Sequence, residues 1–280
     1  MVLPALPAPR TAAGAAAYDA ILRAPERAVV AVDFDGTLAP IVADPALARA
    51  HPDVVPALSR LAPRLCAVAV ITGRPAEAAV RHGGFDGVPQ LDRLTVLGAY
   101  GAERWDAATG TVRVPEPPPG VAAVRAELPG LLGRVGAPPG TWTEDKGSAL
   151  AVHTRRTDRP ADAFALLREP LTELAERHGL VVEPGRMVLE LRPPGVDKGA
   201  ALTEFVRETG AGAVLYAGDD LGDLAAFGAV EKLRGEGVPG LLVCSVSPEE
   251  TVAQLAERAD VVVDGPAGVA ALLGALADAL

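Results

Sequence analysis

Cysteine is nearly missing from this chain, basic runs are missing altogether, and no apolar stretch approaches the length of a bilayer. Only Cys66 and Cys244 occur in 280 residues. A disulfide framework is therefore excluded, and two free thiols buried beside strand-like runs in a reducing compartment are expected. The formal net charge is -10 and no segment is rich in Lys or Arg, which argues against nucleic acid or an anionic membrane surface as the main partner. A small anionic substrate would then need local positive charge or a metal ion. The first 25 residues are rich in Ala and Pro but lack the basic flank and unbroken apolar core of a signal peptide, so a cytoplasmic protein is the expectation. Residues 1–14 are expected to lack fixed structure. There is no internal repeat and no Walker-type P-loop. Gly235-Glu236-Gly237-Val238-Pro239-Gly240 matches the G-x-G-x-x-G string, yet it precedes a strand-like run and contains proline, which excludes a dinucleotide fingerprint.

What is present is apolar material, 49% of all residues, enough for one large domain or two unequal ones. Runs of strand length recur at 28–33, 65–71, 94–98, 213–217, 240–244 and 260–263. Segments with helical periodicity or composition at 53–62, 75–82, 198–208, 221–233, 249–258 and 267–279 separate most of them. This alternation predicts an α/β fold built on a doubly wound parallel sheet. The middle breaks the rhythm. After Pro115-Glu116-Pro117-Pro118-Pro119-Gly120 come a helix (121–134), a strand (148–154), a helix (161–178) and a hairpin at 180–192 turning on Pro184-Gly185, until Pro193-Pro194-Gly195 closes the segment. The chain thus reads as a core of 1–113 and 195–280 carrying an inserted, smaller α+β domain at 114–194.

The most informative segment is Val29-Val30-Ala31-Val32-Asp33-Phe34-Asp35-Gly36-Thr37-Leu38. A β-branched run that ends in Asp-x-Asp-Gly-Thr reads as a buried parallel strand delivering Asp33 and Asp35 to its carboxyl end, where open α/β sheets bind ligands. Two carboxylates so close, without a basic neighbour, raise one pKa unless a cation compensates, as suits a nucleophile beside an acid/base. A plain Asp-Gly turn is the competing reading. In Gly218-Asp219-Asp220-Leu221-Gly222-Asp223 a strand-like run meets a helix start, and Asp219 and Asp223 fall at i, i+4, where like charges repel unless something positive lies between them. Oxygen ligands without His or Cys nearby indicate magnesium rather than zinc. Helix capping is the alternative, and it suits Asp220 better than Asp219. Lys198, in Gly195-Val196-Asp197-Lys198-Gly199, sets a cation at the positive end of a helix dipole, a violation expected at functional sites, or else is a solvated lysine paired with Asp197. Thr72, in Val70-Ile71-Thr72-Gly73-Arg74-Pro75, ends another strand-like run, and its hydroxyl can donate to a phosphoryl oxygen or cap the next helix.

Taken in order, Asp33-Phe34-Asp35-Gly36-Thr37, Thr72-Gly73-Arg74, Lys198 and Gly218-Asp219-Asp220 through Asp223 resemble the four motifs of the haloacid dehalogenase superfamily of phosphotransferases. The insertion between the second and third resembles the α+β cap of its sugar phosphatase branch. Within that branch, Leu97-Gly98-Ala99-Tyr100-Gly101-Ala102-Glu103, Glu144-Asp145-Lys146-Gly147-Ser148 with His153 and Arg155 downstream, and Glu190-Leu191-Arg192-Pro193 look like the trehalose-6-phosphate phosphatase family. The resemblance covers nearly everything from 28 to 265. It implies a Rossmann-like core and hydrolysis of trehalose 6-phosphate through an aspartyl phosphate on Asp33, with Asp35 as acid/base and Thr72 and Lys198 cradling the phosphoryl group. It further implies Mg2+ on Asp33, Asp219, the Asp35 carbonyl and, directly or through water, Asp223. Gly73, Arg74, Glu144, Lys146, Arg155 and Glu190 are the implied substrate contacts. The implied partner is a small-molecule sugar phosphate, with a functional link to a trehalose-phosphate synthase; the oligomeric state, a monomer included, is left open.

Strand alternation places Met187, Leu189 and Leu191 on one face and Glu190 with Arg192 on the other, which can turn toward sugar hydroxyls. Arg74 also reads as a salt-bridge partner and His153 as a solvated strand position. Two positions depart from the family pattern: Tyr100, where His is common, and Gly222-Asp223-Leu224, where Thr-Asp-Glu is common. The rival readings are a phosphatase for sucrose phosphate or mannosyl phosphoglycerate, a non-catalytic sugar-phosphate sensor, and a phosphoglucomutase-like transferase. The Glu-Asp-Lys-Gly segment speaks against the first, the complete set of reactive charges against the second, and the wide insertion against the third.

Overall fold

The computed structural model describes residues 6–42, 44–185, 187–247 and 252–280. It divides into two compact units, the chain up to Arg113 together with Asp197–Leu280, and Val114–Val196. The first unit opens with α1 (Ala12–Arg23), β1 (Ala28–Val32), α2 (Val54–Leu61), β2 (Ala67–Ile71), α3 (Ala76–Gly83), β3 (Leu94–Gly98), β4 (Glu103–Asp106) and β5 (Thr111–Arg113). The inserted unit contributes α4 (Pro119–Arg134), β6 (Trp142–Asp145), β7 (Leu150–His153), α5 (Pro160–Arg177), β8 (Val181–Gly185) and β9 (Val188–Arg192). The first unit then resumes with α6 (Lys198–Thr209), β10 (Ala213–Gly218), α7 (Leu224–Gly235), β11 (Gly240–Val246), α8 (Ala253–Arg258), β12 (Val261–Asp264) and α9 (Gly265–Ala279). No helix among the described residues is long and apolar enough to cross a membrane.

The large sheet has the order β12-β11-β10-β1-β2-β3-β4-β5, parallel from β12 to β3 and antiparallel beyond. Every residue of β1 and β2 is buried, because helices cover both faces. The two-residue period of β1 sorts its side chains. Ala28, Val30 and Val32 pack with Leu58 of α2 and Leu273 of α9, while Val29 and Ala31 pack with Leu202 and Phe205 of α6 and Phe227 of α7. The chain runs from β1 outward to β2 and later returns to β10 on the other side of β1, which makes the carboxyl ends of these three neighbours a topological switch point. In the inserted unit, the sheet β6-β7-β9-β8 is antiparallel, and one of its faces, with Leu150, Val152, Leu189 and Leu191, packs on α4 and α5.

The α/β, doubly wound sheet and the α+β insertion agree with the sequence reading, but several details differ. Residues 6–14 are ordered, and 1–5 lie outside the described residues. Thr11 caps α1 by accepting from the Gly14 N–H (2.9 Å), and its hydroxyl donates to Asp260, while the Arg10 N–H reaches the Asp260 carbonyl (2.7 Å). Ala17, Tyr18 and Ile21 then bury one stripe of an Ala-rich helix whose periodicity the composition obscured. The hairpin does not turn on Pro184-Gly185. Both are paired in β8, with Gly185 opposite Val188, so the reversal falls between those two residues. Met187 accordingly sits in the turn with φ 57° instead of sharing the face of Leu189 and Leu191. Part of the helix expected at 249–258 lies outside the described residues; α8 covers the rest. Cys244 is buried, but Cys66 is only half-buried.

Candidate active site

The Asp33 N–H continues the parallel ladder one step past β1 by donating to the Ala217 carbonyl (2.9 Å). The next residues turn back sharply. The N–H groups of Leu38 and Ala39 both donate to the Phe34 carbonyl (2.8 Å each), and Gly36 adopts φ 79°. Only glycine suits that position, because a Cβ there would lie 1.9 Å from Asp219 Oδ2. The turn drops the Thr37 hydroxyl into hydrogen-bond contact with Asp219 Oδ1 (2.9 Å). Asp33 and Asp219 are thereby placed side by side, 3% and 5% exposed, each just beyond the end of its strand.

Lys198 opens α6 from inside the protein rather than from its surface. At 3% exposure, its ammonium bridges Asp33 Oδ1 and Asp223 Oδ1 at 2.8 Å each. Asp223 reaches this place through a 3₁₀ turn (Leu221–Asp223), not along a helix face shared with Asp219. Its Oδ2 accepts from the N–H groups of Asp219 (2.9 Å) and Asp220 (3.0 Å), and its Oδ1 accepts from Lys198 and from the Tyr216 hydroxyl (2.6 Å). Four donors fill the acceptor capacity of one carboxylate.

Carboxylate oxygens of Asp33, Asp219 and Asp223 lie within 4.8 Å of one another, with all three residues buried. Burial pushes Asp33 and Asp219 well above the usual carboxylate range, and the neighbouring aspartates push the same way against the pull of Lys198. Asp223 goes the other way: burial would raise it, but Lys198, the Tyr216 hydroxyl and the backbone donors hold it below its ordinary value. Lys198 is correspondingly raised; burial opposes its charge, and Asp223 and Asp33 more than compensate. Three buried carboxylates, two of them bridged by one ammonium, form an oxygen-rich, net-negative cluster, which fits a hard divalent cation.

Asp35 is not short of a basic neighbour either, contrary to the sequence reading. Arg74 grips it with two parallel bonds, Nε to Oδ2 and Nη2 to Oδ1, both 2.6 Å. Thr72, 1% exposed, does not cap α3, whose N-cap is Pro75. Its hydroxyl oxygen accepts from the Arg74 N–H (3.1 Å), leaving its proton available. Gly73 allows the Tyr100 ring to approach, since a Cβ there would sit 2.8 Å from the ring.

Within the inserted unit, Glu144, Ala151, Glu190 and Glu183 fall in one cross-strand row, on the face opposite its apolar core. Lys146 pairs with Glu190 at 2.6 Å, and Arg192 with Glu183 at 2.8 Å. Glu144 reaches His153 Nε2 (3.0 Å), whose ring stacks on Trp142 with centroids 3.8 Å apart. His153 is therefore engaged within the sheet rather than solvated, and Arg155 is exposed in the turn after β7.

The trehalose-phosphatase family model matches residues 31–260. This chain belongs to that family. It is 36% identical over 258 residues to the trehalose-phosphate phosphatase of Mycobacterium avium, covering 89% of this chain and 61% of that protein, so it spans only part of that relative. The trehalose-6-phosphate phosphatase of Escherichia coli is 29% identical over 210 residues, 74% of each chain. The structure resembles the C-terminal domain of Candida albicans trehalose-6-phosphate phosphatase with a TM-score of 0.75 at 21% identity, covering 98% of this chain and 99% of that one. A haloacid dehalogenase-like hydrolase from Bacteroides thetaiotaomicron gives 0.56 at 16% identity, covering 88% and 97%. The fold is thus of the haloacid dehalogenase type.

In this trehalose-phosphatase family member, three residues that sequence reasoning passed over touch the candidate site residues. Thr37 stood inside the first motif without a role, although a hydroxyl after Asp-Gly is a natural partner for the next carboxylate. Tyr216 read as one more apolar strand residue; only the pairing of β10 with its neighbours reveals the Asp223 contact. His82, 8% exposed on α3, contacts Arg74, and nothing in its local sequence signals that.

Proposed function

We propose that this chain hydrolyses trehalose 6-phosphate to trehalose and phosphate, with Asp33 as nucleophile and Mg2+ as cofactor. The observation that carries the reading is the buried convergence of Asp33, Asp219 and Asp223, with Lys198 bridging the first and the last. Asp33 and Asp219 would hold the ion, with the Asp35 carbonyl; Asp223, its oxygens already taken by four donors, would act through water or by charge alone. When bound, the ion supplies positive charge that lets one anion approach another.

Asp33 Oδ forms a bond to phosphorus while the bond to the sugar oxygen breaks, and Asp35 gives that oxygen its proton. Water then attacks phosphorus, passes a proton to Asp35, and the bond to Asp33 breaks with its electron pair returning to the carboxylate. Lys198 and the Thr72 hydroxyl stabilise charge on the phosphoryl oxygens. Glu144, Lys146, Arg155 and Glu190 are assigned to the sugar, and Gly73 to close backbone approach at the core site. The test is phosphate release from trehalose 6-phosphate, glucose 6-phosphate and sucrose 6-phosphate, with and without Mg2+. Preference for the first, lost with EDTA, is expected; equal rates on all three would remove the substrate while leaving the reaction type.

A further inference from the structure

Arg74 is built into its position. Its Nη1 donates to the Pro45 carbonyl (2.9 Å) and to His82 Nδ1 (3.1 Å), while Nε and Nη2 serve both oxygens of Asp35. A guanidinium has five N–H donors, so at most one remains for any other partner. The cation also lies 5.5 Å from the centroid of the Phe34 ring, which restrains its plane. His82 must offer Nδ1 as an acceptor, and burial first, then Arg74, Arg49 and Arg81, keep its proton affinity low, against the opposite pull of Asp35. The guanidinium is thus held from one side by a neutral imidazole and a carbonyl, and presents a fixed fork to the carboxylate on the other.

We propose that Arg74 and His82 are positioning residues for Asp35, holding its carboxylate oriented as the base of the second half-reaction, rather than contacts for the substrate. The inference rests on the phosphatase reading. Both Asp35 oxygens accept from Arg74, so the fork fixes the plane and direction of the carboxylate. Donating to the sugar in the first half-reaction requires a proton on one oxygen, which breaks one arm of the fork. In the second half-reaction, water's oxygen bonds phosphorus, its proton goes to Asp35, and the Asp33–phosphorus bond breaks. Loss of the fork should therefore slow hydrolysis of the aspartyl phosphate more than its formation from an ester whose leaving group needs no proton.

The test uses 4-nitrophenyl phosphate and saturating Mg2+ with the full chain and the variants His82→Leu, His82→Gln and Arg74→Lys. His82→Leu and Arg74→Lys should lower kcat by roughly tenfold or more, as expected for a misaligned base. Their kcat/KM should stay near the parent value, and a burst approaching one nitrophenolate per chain should appear that the parent lacks. His82→Gln, whose amide oxygen can accept from Arg74, should recover kcat. An equal fall in kcat and kcat/KM without a burst, in both His82→Leu and Arg74→Lys, overturns the proposal, as does a His82→Gln variant no better than His82→Leu. A parent chain that releases no phosphate from any ester overturns the phosphatase reading itself, and this inference with it.

Discussion

Asp219→Asn should stabilise the metal-free protein while removing its response to Mg2+. Asp219 is buried, and its carboxylate oxygen lies within 4.8 Å of those of Asp33 and Asp223. Two unit charges at that separation repel by about 3.5 kcal/mol at an effective dielectric constant of about 20. Asp219 faces two such neighbours, and Lys198 offsets part of the sum. Protonation caps the remainder, so a net gain of about 2 kcal/mol is expected, or about 4–8 °C in melting temperature for a chain of this size. The amide oxygen can still accept from the Thr37 hydroxyl, which confines the change to charge. In EDTA the variant should melt above the parent. With Mg2+ at about a hundred times its dissociation constant, the parent should gain about 2.7 kcal/mol and overtake it. Differential scanning fluorimetry in the two buffers reads both arms. A variant that melts at or below the parent in EDTA, or that gains as much from Mg2+, would refute the assignment of strain and ligand to this one carboxylate.

The same shifts set a pH dependence. Asp33 and Asp219 are raised by burial, so they contribute stability that is full below the ordinary carboxylate range and fades as pH climbs through their raised values. The melting advantage of Asp219→Asn in EDTA should therefore grow with pH, as a pH series of thermal melts would show. Gly36→Ala should cost about 1–3 kcal/mol for its backbone alone, and it should abolish Mg2+-dependent phosphate release because its Cβ occupies the place of the Asp219 carboxylate; urea unfolding and a phosphate assay check the two effects. Tyr216→Phe removes one of four donors to Asp223 and should cost about 1–2 kcal/mol, seen as a lower denaturation midpoint at unchanged slope. Lys146→Ala should raise KM for trehalose 6-phosphate about tenfold, equivalent to about 1.4 kcal/mol of binding, while leaving 4-nitrophenyl phosphate kinetics unchanged.

The parallel core was legible because its strands are buried on both faces and therefore read as unbroken apolar runs. The antiparallel β4, β5 and β6 were not. Glu103-Arg104-Trp105-Asp106 and Trp142-Thr143-Glu144-Asp145 mix charge with aromatics, as strands with a polar face do, and carry too few residues to show a period. The acidic motifs were legible as residue types, yet their partners were not. That Lys198 is buried follows from the helix start being pulled under the ends of β1 and β10, a tertiary fact that dipole arguments cannot supply. Likewise, Asp223 was placed on a helix face with Asp219 because the spacing fits i, i+4. The 3₁₀ turn and its reciprocal capping, with Asp220 and Asp223 each accepting from the other's end of the turn, satisfy backbone donors that a regular helix start would leave exposed.

Asp33 and Asp35 stand two residues apart and face opposite environments, and the proposed chemistry depends on that difference. Asp33 shares its ammonium with Asp223 in a buried cluster where negative charge is in excess, so its charge is tolerated chiefly when a further cation is present. The Asp35 side chain is 40% exposed and is gripped at both oxygens by a guanidinium, so it is open to water while staying aimed. A strand followed at once by a glycine turn produces this split: continued alternation would keep residues 33 and 35 on one face, and the turn at Gly36, which begins just past the end of β1, carries the second carboxylate away from the first. In the proposed mechanism, exchanging the two environments would leave a solvated nucleophile and a buried acid without access to water. Asp33→Glu and Asp35→Glu should therefore fail for different reasons, the first by displacing a charge packed against Lys198, the second by losing the fork geometry that Arg74 imposes.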